Sequence, residues 1–183
     1  MPIDRQLLRT ATIAAIAAII AAMIAVFVAY RLNAATTVLI VRHAEKEGPP
    51  ADPADPPIST AGQARAQELA RVVGQAGIAA VFATQFQRTQ QTVQPLATAQ
   101  GLSVTRVTAT DTAALLDQIR TNHFGETVLV AGHSNTVDDI IEGLGGAAMD
   151  DLPDGQFDNL FVVVIRRMSP TKVVHLKYGV ATP

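Results

Sequence analysis

Four side chains in this sequence could do chemistry together: Arg42, His43, Arg88 and His133. Arg42-His43 ends the apolar run Thr37-Val38-Leu39-Ile40-Val41 and leads into Ala44-Glu45-Lys46. His133 stands in Ala131-Gly132-His133-Ser134-Asn135, directly after a second apolar run, Thr127–Ala131. Arg88 follows a third run, Ile78–Ala83, by five residues. Runs of this kind read as buried strands, and the strands of a parallel sheet send their carboxyl ends to one side. His43 and His133, 90 residues apart in sequence, can then share one crevice with both arginines. Ser134, Asn135 and Thr136 can cap the helix that follows, whose free N–H groups favour an anion. Two guanidinium groups, two imidazoles and helix N-termini describe a site for an anion the size of phosphate.

Taken singly, each of these residues has a plainer reading as a surface arginine or a structural histidine. Two histidines could also ligate a metal, but no carboxylate or third histidine has suitable spacing, and the arginines would repel a cation. His123 and His175 read as surface or structural residues. His123 and Glu126 precede the fourth strand, at the opposite end of the sheet, so Glu126 is discounted as a catalytic acid.

The elements that must position the four residues can be followed along the chain. The first strand covers about Thr36–Val41. Gly48–Pro57 carries too many prolines for a helix or an inner strand, and its Asp52 and Asp55 read as turn residues. Ser59 or Thr60 caps a helix to about Gln75. A second strand, Ile78–Ala83, leads into a helix from Thr84 to Gln100, where Pro95 predicts a kink or a late start and Gly101 a stop. A third strand, Ser103–Thr108, precedes a helix capped by Thr110 or Asp111 and ending near Arg120. The fourth strand is followed by a short helix, Thr136–Gly143, and an acidic loop to Asp158. Leu160–Ile165 and Lys172–Tyr178 read as closing strands joined by a turn at Ser169-Pro170. This alternation implies a mostly parallel sheet covered on both faces.

Composition narrows the function classes. Of 183 residues, 49% are apolar but only 4% aromatic, with no Trp, which argues against an aromatic platform for nucleic acid or glycan. There is no Cys, which excludes disulfides and thiolate metal sites. Residues 1–33 hold three arginines and one aspartate, leaving 11 basic and 15 acidic residues in 34–183. A mildly acidic domain is a poor partner for nucleic acid, so any anion site must be a local cluster of Arg and His.

Residues 1–33 form a separate segment. Thr10 to Tyr30 carries no charge. At ~1.5 Å per residue it spans roughly 30 Å, the thickness of a bilayer core. A transmembrane signal anchor spanning about 10–30 is the leading reading. The alternatives are a secretory signal cleaved near Leu32-Asn33-Ala34 and a buried helix. Arg5 and Arg9 before the run favour a cytoplasmic N-terminus and an exported, periplasmic domain at 34–183, held close to the membrane by a very short linker.

Val41-Arg42-His43-Ala44-Glu45-Lys46, Ile58-Ser59-Thr60-Ala61-Gly62-Gln63-Ala64-Arg65-Ala66, Arg88-Thr89-Gln90-Gln91-Thr92 and Gly132-His133-Ser134-Asn135 together resemble the histidine phosphatase superfamily, the phosphoglycerate mutase-like family. The likeness is to small bacterial members with Arg-His-Ala-Glu-Lys in place of Arg-His-Gly, and it covers about residues 36–168. It implies a three-layer α/β/α sandwich, here preceded by the N-terminal helix. His43 is then the nucleophile, forming a phosphohistidine that water hydrolyses. Arg42, Arg88 and His133 bind the phosphoryl oxygens, with a polar contact from Asn135. No metal and no cofactor is implied, and the partner is a phosphorylated substrate.

Two departures from the family pattern matter. Ala44 puts a methyl group where the motif has Gly. The proton donor to the leaving group is unassigned: Asp111 is the candidate, with helix capping as its competing role, and Glu45 is the reserve. Without either, only good leaving groups would serve, such as phosphoanhydrides, phosphoramidates or acyl phosphates. The expectation is thus a membrane-anchored, metal-independent phosphohydrolase. The alternatives are a non-catalytic phosphate- or phosphoprotein-binding module, a mutase, and a tethered structural domain. Sugar phosphate, phospholipid head group and phosphoprotein all stay open as substrates, and the oligomeric state is not readable.

Overall fold

The computed structural model describes residues 5–49, 52 and 54–183. Met1–Asp4 and, in the proline-rich loop expected at 48–57, Pro50, Ala51 and Pro53 lie outside the described residues. Two compact units result, residues 1–34 and 35–183. The first is a single helix, α1 (Arg5–Asn33). Its stretch Arg9–Asn33, 25 residues, is long and apolar enough to cross a membrane. Ile13, Ile16, Met23 and Phe27 are exposed along it. Among its described side chains, no stripe of the helix is buried.

The second unit is the three-layer sandwich. Its strands are β1 (Ala35–Arg42), β2 (Ile78–Thr84), β3 (Val104–Val107), β4 (Thr127–Gly132), β5 (Asn159–Arg166) and β6 (Ser169–Lys177). They form one sheet in the order β3-β2-β4-β1-β5-β6. β3, β2, β4 and β1 are parallel, whereas β5 runs antiparallel to β1 and β6 antiparallel to β5. The helices are α2 (Thr60–Val73), α3 (Gln87–Gln100), α4 (Thr112–Asn122) and α5 (Val137–Gly143).

Alternation along the strands builds two cores. Val38 and Ile40 of β1 and Val128 and Val130 of β4 face Leu115, Ile119, Ile140 and Ile141 of α4 and α5. Leu39, Val41, Leu129 and Ala131 face Leu69, Val73, Val93 and Leu96 of α2 and α3. Both faces of β1 are therefore dry, which is why it reads as a continuous apolar run rather than an alternating one. The chain leaves β1 towards one face of the sheet, through α2, and leaves β4 towards the other, through α5. Such a divergence opens a crevice at the carboxyl ends of the two strands.

Three expected boundaries differ for physical reasons. Thr84 ends β2 rather than starting a helix, so α3 begins at Gln87. Pro95 is then its ninth residue, and the helix runs through it to Gly101, the left-handed C-cap at φ 66°. Val93, Leu96 and Ala97 are buried around the proline and hold the helix in place. The closing turn is at Arg167-Met168, and Ser169-Pro170 already belongs to β6. A proline is tolerated there because β6 is an edge strand and the pairing is irregular between Val164 and Arg166.

Between β1 and α2 the chain folds back on itself. Lys46 bridges Ile58 antiparallel, Ser59 N donates to Glu45 O (2.8 Å), and Ser59 caps α2 by accepting from Gly62 N (3.2 Å). Gly62 lies directly under this turn: a Cβ there would collide with the Glu45 carbonyl and sit 2.9 Å from Ile58 Cβ. Backbone is not free to move aside as a side-chain tip is. Gly62→Ala is therefore expected to lower stability by about 1–3 kcal/mol, the usual cost of overpacking, read as a lower urea midpoint with an unchanged m-value.

Candidate active site

The register of the sheet brings the expected residues together. Arg42 pairs with Gly132, and His43 N donates to Gly132 O at 2.9 Å. The next residue on the β4 side is His133, so the two imidazoles meet edge to face with centroids 5.4 Å apart. On the other side of β4, β2 ends at Thr84, whose Oγ1 is 3.0 Å from His133 Nε2. Arg88, in the first turn of α3, reaches back to 3.5 Å from His133 Nδ1. A cavity of about 320 Å³ is lined by Arg42, His43, Arg88, His133, Asn135 and neighbours. A wider groove, about 750 Å³, lies between α2 and α3. No histidine or basic side chain lines it, so chemistry and not size locates the site.

The rings are held in defined protonation states. His43 Nδ1 lies 2.8 Å from the Ala44 carbonyl. A carbonyl only accepts, so Nδ1 carries the hydrogen and Nε2 keeps its lone pair. On His133 the direction is set by a chain of donors. Thr89 Oγ1 donates to Phe86 O (2.8 Å), Thr84 Oγ1 to Thr89 Oγ1 (2.8 Å), and His133 Nε2 to Thr84 Oγ1. This leaves His133 Nδ1 as the acceptor facing Arg88. Burial pushes the His43 imidazole down from 6.5 to about 3. The bond to Ala44 opposes this, while His133, Arg42 and Arg88 add to it. Burial, then Arg88 and Arg42, take His133 down to about 4. Both rings are neutral at physiological pH, as a nitrogen nucleophile requires.

Each arginine lies on a phenylalanine. The Arg42 guanidinium is 4.5 Å from the Phe157 centroid and that of Arg88 is 4.3 Å from Phe86. Cation–π attraction of this kind contributes about 0.5–2 kcal/mol. Arg42 is buried and donates from Nη1 to the carbonyls of Pro153 (2.9 Å) and Gln156 (3.3 Å). Its Nε is buried with no partner, a donor that a bound oxyanion would satisfy. Arg88 Nη1 is 3.8 Å from Asp55, which also accepts from Gln87 N.

The two candidate acids are placed elsewhere. Asp111 caps α4, accepting from Ala114 N at 3.0 Å, and is not on the cavity lining. Glu45 is gripped by Arg65, with Nε 3.0 Å from both carboxylate oxygens and Nη2 2.7 Å from Oε1. The carboxylate on the lining is Asp154, 3.5 Å from Arg42 Nη2. The extra methyl of Ala44 is fully buried against Ile58 and Ala66, and its N donates to Thr92 Oγ1 at 2.8 Å. It sits beside His43 without intruding on the ring.

Sequence reasoning missed Thr84, Phe86, Thr92, Asp154 and Phe157. A signal existed for one of them, Phe86, an aromatic isolated among glutamines two residues before Arg88. His123 and His175 pair with Glu126 (2.8 Å) and Asn159 (2.7 Å), away from the cavity.

Because both rings bind protons more weakly when folded, the unfolded chain holds more protons between pH 6.5 and about 3–4. Stability is then complete above 6.5 and is lost as pH falls through that window. In a nitrogen-detected NMR titration of the imidazoles, His43 and His133 are expected to stay neutral down to pH 5. A midpoint near 6.5 for either ring would contradict the geometry.

Residues 38–110 match the family model described as histidine phosphatase superfamily (branch 1). No curated protein matches the sequence significantly. Among solved structures the fold is similar to the alpha-ribazole phosphatase from Shigella flexneri, at TM-score 0.61 and 12% identity, covering 77% of this chain and 96% of that one. It is likewise similar to the protein histidine phosphatase SixA complexed with tungstate, at TM-score 0.59 and 18% identity, covering 77% and 96%. A third is mycobacterial glucosyl-3-phosphoglycerate phosphatase, at TM-score 0.60 and 11% identity, covering 79% and 100%. Identities this low speak for the fold alone. The sequence match over residues 38–110 makes this part of the chain similar to the histidine phosphatase superfamily, branch 1, the family whose motifs it resembles.

Proposed function

We propose that this chain is a membrane-anchored, metal-independent phosphohydrolase that works through a phosphohistidine on His43. The observation that carries this is the Nδ1–H bond of His43 to the Ala44 carbonyl, which leaves Nε2 unprotonated beside two arginines. Nε2 attacks phosphorus, the bond to the leaving group breaks, and the leaving group departs with the electron pair. Water then attacks the phosphohistidine, giving inorganic phosphate and free His43. Arg42 and Arg88 hold the phosphoryl oxygens through both steps, with Asn135 at the rim, and His133 joins them when the bound anion draws a proton onto its Nδ1. The solved SixA complex with tungstate, a tetrahedral oxyanion, supports an anion in a fold of this kind.

The leaving group decides the substrate class. Asp111 caps a helix, Glu45 is held by Arg65, and Asp154 on the lining is an ion-pair acceptor for Arg42. Substrates whose leaving group needs no proton are favoured: acyl phosphates, phosphoramidates, phosphoanhydrides and aryl phosphates. Full-length protein in detergent with EDTA should hydrolyse acetyl phosphate and phosphoramidate. The advantage over glycerol phosphate in kcat/KM should be at least about a hundredfold, the usual worth of a general acid. His43→Ala should abolish turnover by a factor of about a thousand or more. Equal rates on glycerol phosphate would overturn the leaving-group rule. Phosphate binding without turnover of any of these would favour the non-catalytic binding module.

The anchor is proposed from α1, with Arg5 and Arg9 preceding the apolar stretch and the domain outside the cytoplasm. Full-length protein should remain in the membrane pellet after carbonate extraction, and protease added to spheroplasts should digest residues 35–183. Release into the soluble fraction as a shortened chain would instead identify a cleaved signal.

A further inference from the structure

Two ties fasten the residues after β6 to opposite sides of the cage. Lys177 pairs with Asn159 and Val41 with Leu160, so Tyr178–Thr182 emerges at the rim where β1 ends. Arg65 of α2 donates to the carbonyls of Tyr178 (2.9 Å) and Val180 (2.8 Å). The same buried guanidinium grips Glu45, two residues beyond His43. At the other end, Thr182 Oγ1 donates to Asp158 Oδ1 (2.7 Å) and accepts from Phe157 N (3.1 Å), while Thr182 N donates to Asp158 Oδ2 (3.3 Å). Phe157 is the ring beneath Arg42, and the Arg42 acceptors Pro153 and Gln156 are in the same loop.

Arg65, Asp158 and Thr182 do not line the cavity. Each tie nonetheless ends on backbone that carries a member of the cage. The loop before β5 has no regular structure from Gly146 to Asp158 apart from a turn at Asp154-Gly155. Phe157 depends on Thr182 for its backbone N–H acceptor. A displacement of Phe157 moves the surface on which Arg42 rests, and a shift on the order of 1 Å in a binding group can cost about a hundredfold in rate.

We propose that Tyr178–Thr182 is a positioning strap for the phosphate cage. Thr182 sets Arg42 through Phe157 and Asp158, and Arg65 sets the His43 turn through Glu45. The proposal rests on reading the cage as a phosphate site.

The test uses the full-length chain in detergent, with inorganic phosphate affinity by calorimetry and acetyl phosphate turnover as separate readouts. Thr182→Val removes the hydroxyl at similar size, and Thr182→Ser restores it. Thr171→Val is the control, since it deletes a hydroxyl that bonds Leu144 O at 2.8 Å on a part of β6 that does not line the cavity. Thr182→Val is expected to weaken phosphate binding and lower kcat/KM about tenfold each. Thr182→Ser should stay within about twofold of wild type, and Thr171→Val should leave both readouts unchanged. A folded Thr182→Val with wild-type phosphate affinity overturns the strap, as does an equal loss in Thr171→Val. Should Thr182→Val not fold, Thr182→Ala carries the same comparison with the same outcomes. Phosphate binding that weakens in Thr182→Val while wild type shows no turnover supports the strap and sinks the catalytic reading instead. A wild-type chain that binds no phosphate removes the cage reading and the strap together.

Discussion

Arg42 of β1 pairs with Gly132 of β4, and that register decides what the crevice contains. Parallel strands put the two carboxyl ends side by side, and the in-step pairing puts the following residues, His43 and His133, ring against ring. A slip of one residue would turn either histidine to the opposite face of the sheet. Gly132 belongs to the same constraint. A Cβ there would lie 2.9 Å from Thr136 Oγ1, the oxygen that accepts from His133 N and starts the next turn. The antiparallel β5 completes the rim by delivering its preceding loop to the end of β1. Half of the cage comes from parallel topology and the loop around Arg42 from the antiparallel addition.

The chemistry follows from burial as much as from charge. Two permanent cations stand beside two imidazoles that burial keeps neutral. The cations are not cancelled by buried carboxylates. Asp154 is solvent-exposed at 3.5 Å and Asp55 is 3.8 Å away, while backbone carbonyls bond Arg42 more closely and an aromatic ring lies against each guanidinium group. Carbonyls and rings orient a guanidinium without neutralising it, so the charge stays available to a dianion. Electrostatic preorganisation of this type would need little rearrangement to receive an anion.

Much of this arrangement was legible in the sequence, because periodic apolar runs and the residues ending them are local signals. Thr36–Val41, Ile78–Ala83 and Thr127–Ala131 announced themselves as strands, and Ser59 and Gly101 marked helix ends. The ion pairs were not legible. Glu45 looked as free to reach the site as Arg42 did, and only the packing of α2 shows it taken by Arg65, 20 residues on. Asp111 had a local signal, N-capping, that competed with a long-range one, and the local bond is the one that forms. Phe157 and Asp154 sit in an aperiodic acidic loop, where no spacing rule says which side chain turns inward.

Ala44 carries one more consequence. Its methyl is wholly enclosed with Ile58 and Ala66, and its N–H is fixed by Thr92. The turn after His43 and the start of α2 are therefore fitted to each other. A chain with Gly at this position has a vacancy the size of a methyl group to fill, and the natural places to fill it are positions 58 and 66. Among relatives the three sites should change as a set, with larger side chains at 58 or 66 accompanying Gly at 44. The departure from the Arg-His-Gly motif would then be a repacking recorded in three columns of an alignment, not a lesion in one.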